Sequence, residues 1–118
     1  MMQINPFENG NGVWKGDSLG NVRKQYYCVG PQNSQQFCAG ITIFLPGEGG
    51  VFHNHATSEE LNYVICGSGT VQDLEQNVVA HFKKGDVLLH PAGEIHRIYN
   101  NGTDPLELLY IYAPQPEN

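Results

Sequence analysis

The chain has 118 residues, 40% of them apolar, and a formal net charge of −6 at pH 7 with only six Lys and Arg. That length supports one core and one domain, and so acidic a chain lacks the basic surface that a phosphate backbone demands, which excludes nucleic acid as an expected partner. There is no apolar run of roughly eighteen residues and no cationic-then-apolar leader, so neither a membrane span nor a secretory signal is expected, and the expected location is cytoplasmic.

Fourteen glycines, seven prolines and numerous Phe and Tyr, set among short alternating runs, point to an all-β barrel or sandwich without a convincing helix. Residues 1–20, rich in Asn and Gly, are expected as an arm or loop packing against a partner subunit, and residues 21–118 as the barrel domain. Strands are expected over 21–29, 36–45, 51–55, 60–66, 69–75, 77–82, 86–90, 95–99 and 106–112. Gly47, Gly67 and Gly85 fall where apolar runs end or begin, where a reversing chain needs positive φ. Pro91 removes a ladder donor and belongs at a strand end; Gly93 permits the bend that follows. Asn100, beside Asn101-Gly102, reads as a structural turn former. Cys28, Cys38 and Cys66 are odd in number and widely spaced, so free thiols are expected rather than a disulfide framework.

The run 51–60 carries the chemistry. Residues two apart on a strand look the same way, so His53 and His55 share a face. The small polar connection 56–59 brings Glu60 back beside them in an antiparallel pair, and His96 enters from another hairpin after the turn at Pro91 to Ile95. Three imidazoles and a carboxylate form a mixed nitrogen and oxygen donor set, which suits iron, manganese, nickel, copper or zinc better than calcium or magnesium. Glu59 competes with Glu60 for the carboxylate role. His81, in a polar hairpin, and His90, alternating away from Val87 and Leu89, read as surface residues.

The spacing resembles a known family. Gly47, five residues, His53-Asn54-His55, four residues, Glu60, six residues and Gly67 look like the complete first cupin motif; Gly85, five residues, Pro91-Ala92-Gly93, two residues, His96, three residues and Asn100 look like the complete second. The segment between them, 68–84, is short, as in small single-domain bacterial cupins. The resemblance selects Glu60 over Glu59, because only Glu60 leaves the family's gap to Gly67. It implies a double-stranded β-helix, or jelly-roll, barrel in a single domain, a homodimer, and one divalent transition metal held by His53, His55, Glu60 and His96. It further implies action on a small oxygenated molecule, foremost as a dioxygenase-type oxidoreductase. A sugar or hydroxy-acid isomerase or lyase, or a small-molecule-binding cupin without catalysis, are the alternatives.

If Glu60 points inward, Asn62, Val64 and Cys66 share its face while Leu61, Tyr63 and Ile65 look outward. Asn62 is then a buried amide, either satisfied within the fold or hydrogen-bonded to a ligand, a metal-bound water or a substrate. Phe44, Phe52, Tyr110 and Tyr112 read as core or interface packing, Tyr63 and Ile65 as a possible dimer surface, and Cys66 as core. Glu48 and Glu94 lie near the motifs without forming a clear base, and Arg97 and Tyr99 alternate with His96 and should point away from the pocket.

Overall fold

A computed structural model describes residues 1–8, 12–16 and 21–115. Among these the strands are β1 (Gly12–Gly16), β2 (Val22–Val29), β3 (Cys38–Phe44), β4 (Glu59–Cys66), β5 (Ser68–Gln72), β6 (Val78–Lys83), β7 (Val87–His90), β8 (Arg97–Tyr99) and β9 (Leu106–Ala113). They form two antiparallel sheets, one ordered β1-β2-β3-β9-β4-β7 and the other β6-β5-β8. Among the described residues there is no helix long and apolar enough to cross a membrane.

Period-two alternation builds the core. Along β9, Leu106, Leu108 and Tyr110 are buried while the residues between them are half-exposed. Along β4, Glu60, Asn62 and Val64 are buried, so the inward face begins polar and ends apolar. Phe44, Val64, Leu106 and Leu108 of the large sheet meet Val71, Phe82 and Ile98 of the small one. Each such buried side chain contributes about 1.5–3 kcal/mol, which makes this end of the barrel the anchor for the polar end beside it.

The turn residues behave as their chemistry requires. Gly47, Gly67 and Gly85 have φ of 83°, 85° and 92°. Gly67 is doubly constrained, because a Cβ there would also run into Pro105 O and come within 2.9 Å of Leu106 Cα. Asn100 is a turn former and a fully buried brace as well: its Nδ2 donates to Phe44 O and Asp104 O, and its Oδ1 accepts from the Gly102 amide. The three cysteines are free and half-buried, and burial pushes their thiols up.

Three expectations change. The stretch 1–20 is more than an arm, since Gly12–Gly16 pairs with β2 as an edge strand; residues 9–11 and 17–20 lie outside the described residues. The strand expected over 51–55 is reduced to a single bridge between His53 and His96, with a second at Gly49 and Tyr99. Glu60 is therefore not the hairpin partner of His53. Both edges of β4 are already taken by β9 and β7, where Glu60 sits opposite Tyr112 and His90. Having no free ladder there, the His53 segment runs beside the small sheet, and Glu60 meets it from the large sheet.

Candidate metal centre

Backbone pairing places two of the imidazoles. The His53 amide donates to His96 O and the His96 amide to His53 O, both at 3.0 Å, and the Gly93 amide donates to His55 O at 2.8 Å. Gly93, at φ 83°, makes the turn that allows this approach. The two histidine rings then sit 4.4 Å apart, facing the inward end of β4.

The donor atoms converge on the Glu60 carboxylate. His53 Nε2 and His55 Nε2 lie 3.3 and 3.4 Å from Oε1, and His96 Nε2 lies 3.7 Å from Oε2. His53, Glu60 and His96 offer ligand atoms all within 4.8 Å of one another. His55 touches the same carboxylate but stands outside that mutual set, with its ring stacked on Tyr112 at 4.4 Å. The structure thus gathers the three expected imidazoles around the expected carboxylate, with His53, Glu60 and His96 as the tight set. Glu59 is exposed, as is His81.

The hydrogen bonds behind the rings decide what the front presents. His53 Nδ1 meets Val51 O at 3.1 Å and His96 Nδ1 meets Glu94 O at 3.3 Å. A carbonyl can only accept, so each Nδ1 carries the proton and each neutral ring turns an Nε2 lone pair toward Glu60. Lone pairs on nitrogen facing lone pairs on oxygen repel unless a cation or a proton lies between them. His96 Nε2 is buried with no hydrogen-bond partner, a costly state for a polar atom that has no ligand. This donor chemistry fits a first-row transition ion, with His53, Glu60 and His96 as its holders.

Titration behaviour follows the same logic. Burial by itself would push the Glu60 carboxyl up, but the facing His53, His55 and His96 imidazoles overcome it and hold the group well below the ordinary carboxylate range. Burial likewise works to lower His53, yet its bond to Glu60, the Val51 carbonyl and the Glu60 charge leave it raised.

One residue corrects the expected surface set. His90 is 4% exposed; its ring stacks on His96 at 3.8 Å, and its Nε2 lies 2.7 Å from Asn62 Oδ1. Asn62 Nδ2 donates to Glu60 Oε2 at 3.1 Å. The amide nitrogen being committed to the carboxylate, the amide oxygen accepts and His90 Nε2 is the donor. His90 and Asn62 together orient the carboxylate from behind, the supporting role that buried polar side chains play at metal sites. The alternation was right but its sense was inverted: Val87 and Leu89, at 58% and 62% exposure, face out.

A cavity of ≈ 250 Å³ opens onto these donors. Its walls include Arg23 and Gln25 from β2, Thr42 from β3, and Tyr110 and Tyr112 from β9. Tyr112 thus does more than pack. Arg97 and Tyr99 lie outside this lining; the Arg97 guanidinium covers the Phe52 and Tyr99 rings and donates to Gly50 O. Arg23 and Gln25 escaped the sequence reading because 22–29 mixes polar and aromatic residues with no alternation to reveal its inner face.

Two facing antiparallel sheets with histidines and a carboxylate gathered at one end define a small double-stranded β-helix barrel with a candidate metal centre. The family model described as "Cupin domain" matches residues 40–112, more than half of the chain, and the chain belongs to that family. An uncharacterised protein of Methanocaldococcus jannaschii is 36% identical over 64 residues, which is 54% of this chain and 50% of the relative, so the chain spans about half the length of the curated relative it matches. A Thermotoga maritima crystal structure described as "a predicted oxalate decarboxylase" superposes with a TM-score of 0.82 at 21% identity, covering 96% of this chain and 99% of its own. A sugar phosphate isomerase of the cupin superfamily from Silicibacter pomeroyi superposes at 0.67 with 21% identity, covering 77% of this chain and 59% of its own. At such identities the likeness is one of fold.

Proposed function

We propose that the protein is a metal-dependent enzyme of dioxygenase type, acting on a small oxygenated molecule with one divalent transition ion held by His53, His55, Glu60 and His96. When bound, iron, manganese or copper supplies electron exchange with dioxygen, whereas nickel or zinc supplies Lewis acidity for a carbonyl or hydroxyl. One observation favours the first chemistry. Among the described residues, the titratable side chains lining the cavity, apart from the donors themselves, are Arg23, Tyr110 and Tyr112. Burial pushes the Tyr112 phenol up to about 12 and Tyr110 higher still, and a guanidinium offers donors without an acceptor. These groups bind and orient; none is poised to take a proton from carbon near neutral pH, the step an isomerase or lyase demands. Asn62 and His90 hold the carboxylate, and Tyr112 holds the His55 ring.

An isomerase or lyase of sugars or hydroxy acids is the second reading, favoured by the likeness in fold to the Silicibacter pomeroyi sugar phosphate isomerase. The proposal carries with it a cytoplasmic homodimer; the exposed Val87 and Leu89 on the outer face of β7 support self-association.

The test is metal analysis of protein purified without added metal, followed by oxygen-electrode assays over diols, enediols and keto acids. Metal-dependent oxygen uptake is expected, and His55→Ala and His96→Ala should each lose most of the metal while staying folded. Carbonyl turnover without oxygen would transfer the assignment to the isomerase or lyase. Tight ligand binding with no turnover would identify a non-catalytic binder, and full metal content in both variants would refute the donor set.

A further inference from the structure

We infer that Arg23 is the substrate anchor of this cavity and that the ligand it selects carries an oxyanion, a carboxylate or a phosphate, in addition to the oxygens that approach the donor cluster. The inference rests on the metal reading above for the approach to the donor cluster and for the net charge of the cavity, while the placement of Arg23 stands apart from it. Arg23 lines the same cavity as His53, His55 and Glu60.

A guanidinium has five N–H donors. Among the described residues Arg23 has one side-chain hydrogen-bond partner: its Nε donates to Gln25 Oε1 at 3.2 Å. Gln25 is itself fixed from the other end, since its Nε2 donates to the Tyr110 hydroxyl at 3.0 Å. The chain Tyr110, Gln25, Arg23 therefore ties down the stem side of the guanidinium, and among the described residues the terminal Nη fork makes no hydrogen bond. That fork is the shape that takes a carboxylate or phosphate through paired hydrogen bonds.

Charge points the same way. Among the described lining residues Glu60 is the one carboxylate, and a divalent ion on it leaves the cavity, with Arg23, net positive. Neutral diols would not discharge that field; an organic acid or a phosphate ester would. The neighbourhood adds to it. Lys15 on β1 is the direct cross-strand partner of Arg23, an arrangement of like charges that is unfavourable by itself. Half of the cations of this acidic chain, namely Lys15, Arg23 and Lys24, lie on the β1-β2 hairpin. Lys15 thus shares the Arg23 face of the hairpin, whereas Lys24 takes the other face, over the Trp14 and Tyr26 rings.

Calorimetric titration of zinc-loaded protein with glycolate, glycerol 2-phosphate and neutral ethylene glycol tests this, because zinc allows binding without redox turnover. At least one anionic probe should bind more tightly than ethylene glycol, and Arg23→Met should weaken it by roughly ten- to hundredfold with metal content unchanged. Arg23→Lys, which keeps the charge but not the fork, should recover only part of the loss. Gln25→Leu should weaken the anion less than Arg23→Met while leaving ethylene glycol unaffected. A glycolate response assigns the oxyanion as carboxylate and a glycerol 2-phosphate response as phosphate. Circular dichroism confirms that each variant is folded. If Arg23→Met leaves anion affinity within about twofold of wild type, or anionic and neutral probes bind alike, the inference fails. The same titration on His96→Ala separates the two readings, because Arg23-dependent anion binding should persist, weakened, even where metal does not bind.

Discussion

At the scale of single residues, His90 is the most informative side chain. Burial, aided by the stacked His96 imidazole, pulls its pKa down to about 4, below the value of about 6.5 in an unfolded chain. Such a base takes up a proton more readily when unfolded, so its contribution is intact above pH ~6.5 and is lost as pH falls toward the folded value. His53 acts in the opposite sense: its raised pKa adds stability below its unfolded value and loses it as pH rises through the folded one. Glu60, held far below the carboxylate range, does not titrate in this window. In metal-free protein, wild type should lose up to about 3 kcal/mol more than His90→Gln between pH 7 and pH 4. Urea denaturation at the two pH values measures the difference; equal losses would show that His90 is not held neutral. The inward role of His90 was hidden because Val87 and Leu89, the apolar residues of β7, point outward, and apolar residues are ordinarily assigned to the core side.

At the scale of elements, the turns carry the specificity. Gly67 and Gly85 both have positive φ, but a Cβ at Gly85 meets nothing within 4 Å whereas one at Gly67 strikes the Pro105–Leu106 backbone. Gly85→Ala should cost about 1–2 kcal/mol from conformation alone, and Gly67→Ala about 1–3 kcal/mol more from the clash. Chemical denaturation midpoints of the two variants check this, and equal costs would show that the strand after Gly67 gives way. The same contrast explains what could be read in advance. Turn glycines, the alternation in β4 and the donor spacing are local properties, visible as residue types at fixed separations. The pairing of His53 with His96 instead of β4, the burial of His90 and the inward face of β2 depend on which sheet each strand joins. Only the completed topology fixes those.

For the whole molecule, the donors contribute little to holding the barrel together. The core of Phe44, Val64, Val71, Phe82, Ile98, Leu106 and Leu108 lies in contacts of its own, and the His53–His96 pairing is made by backbone groups. Metal-free protein should therefore stay folded, and a divalent ion at a hundred times its dissociation constant should add about 2.7 kcal/mol, raising Tm by about 10 °C. Scanning calorimetry with and without chelator measures the shift, and His96→Ala should abolish it. Unfolding on chelation would make the ion a structural one, and no shift in wild type would argue against a site. The placement of Arg23 and Gln25 on β2, away from the segments that carry the imidazoles, separates two tasks along the chain. Exchange of side chains on that one strand can redirect which molecules are admitted while the reactive centre is inherited intact, so a lineage of such barrels can diversify its chemistry by editing a wall rather than rebuilding the hearth.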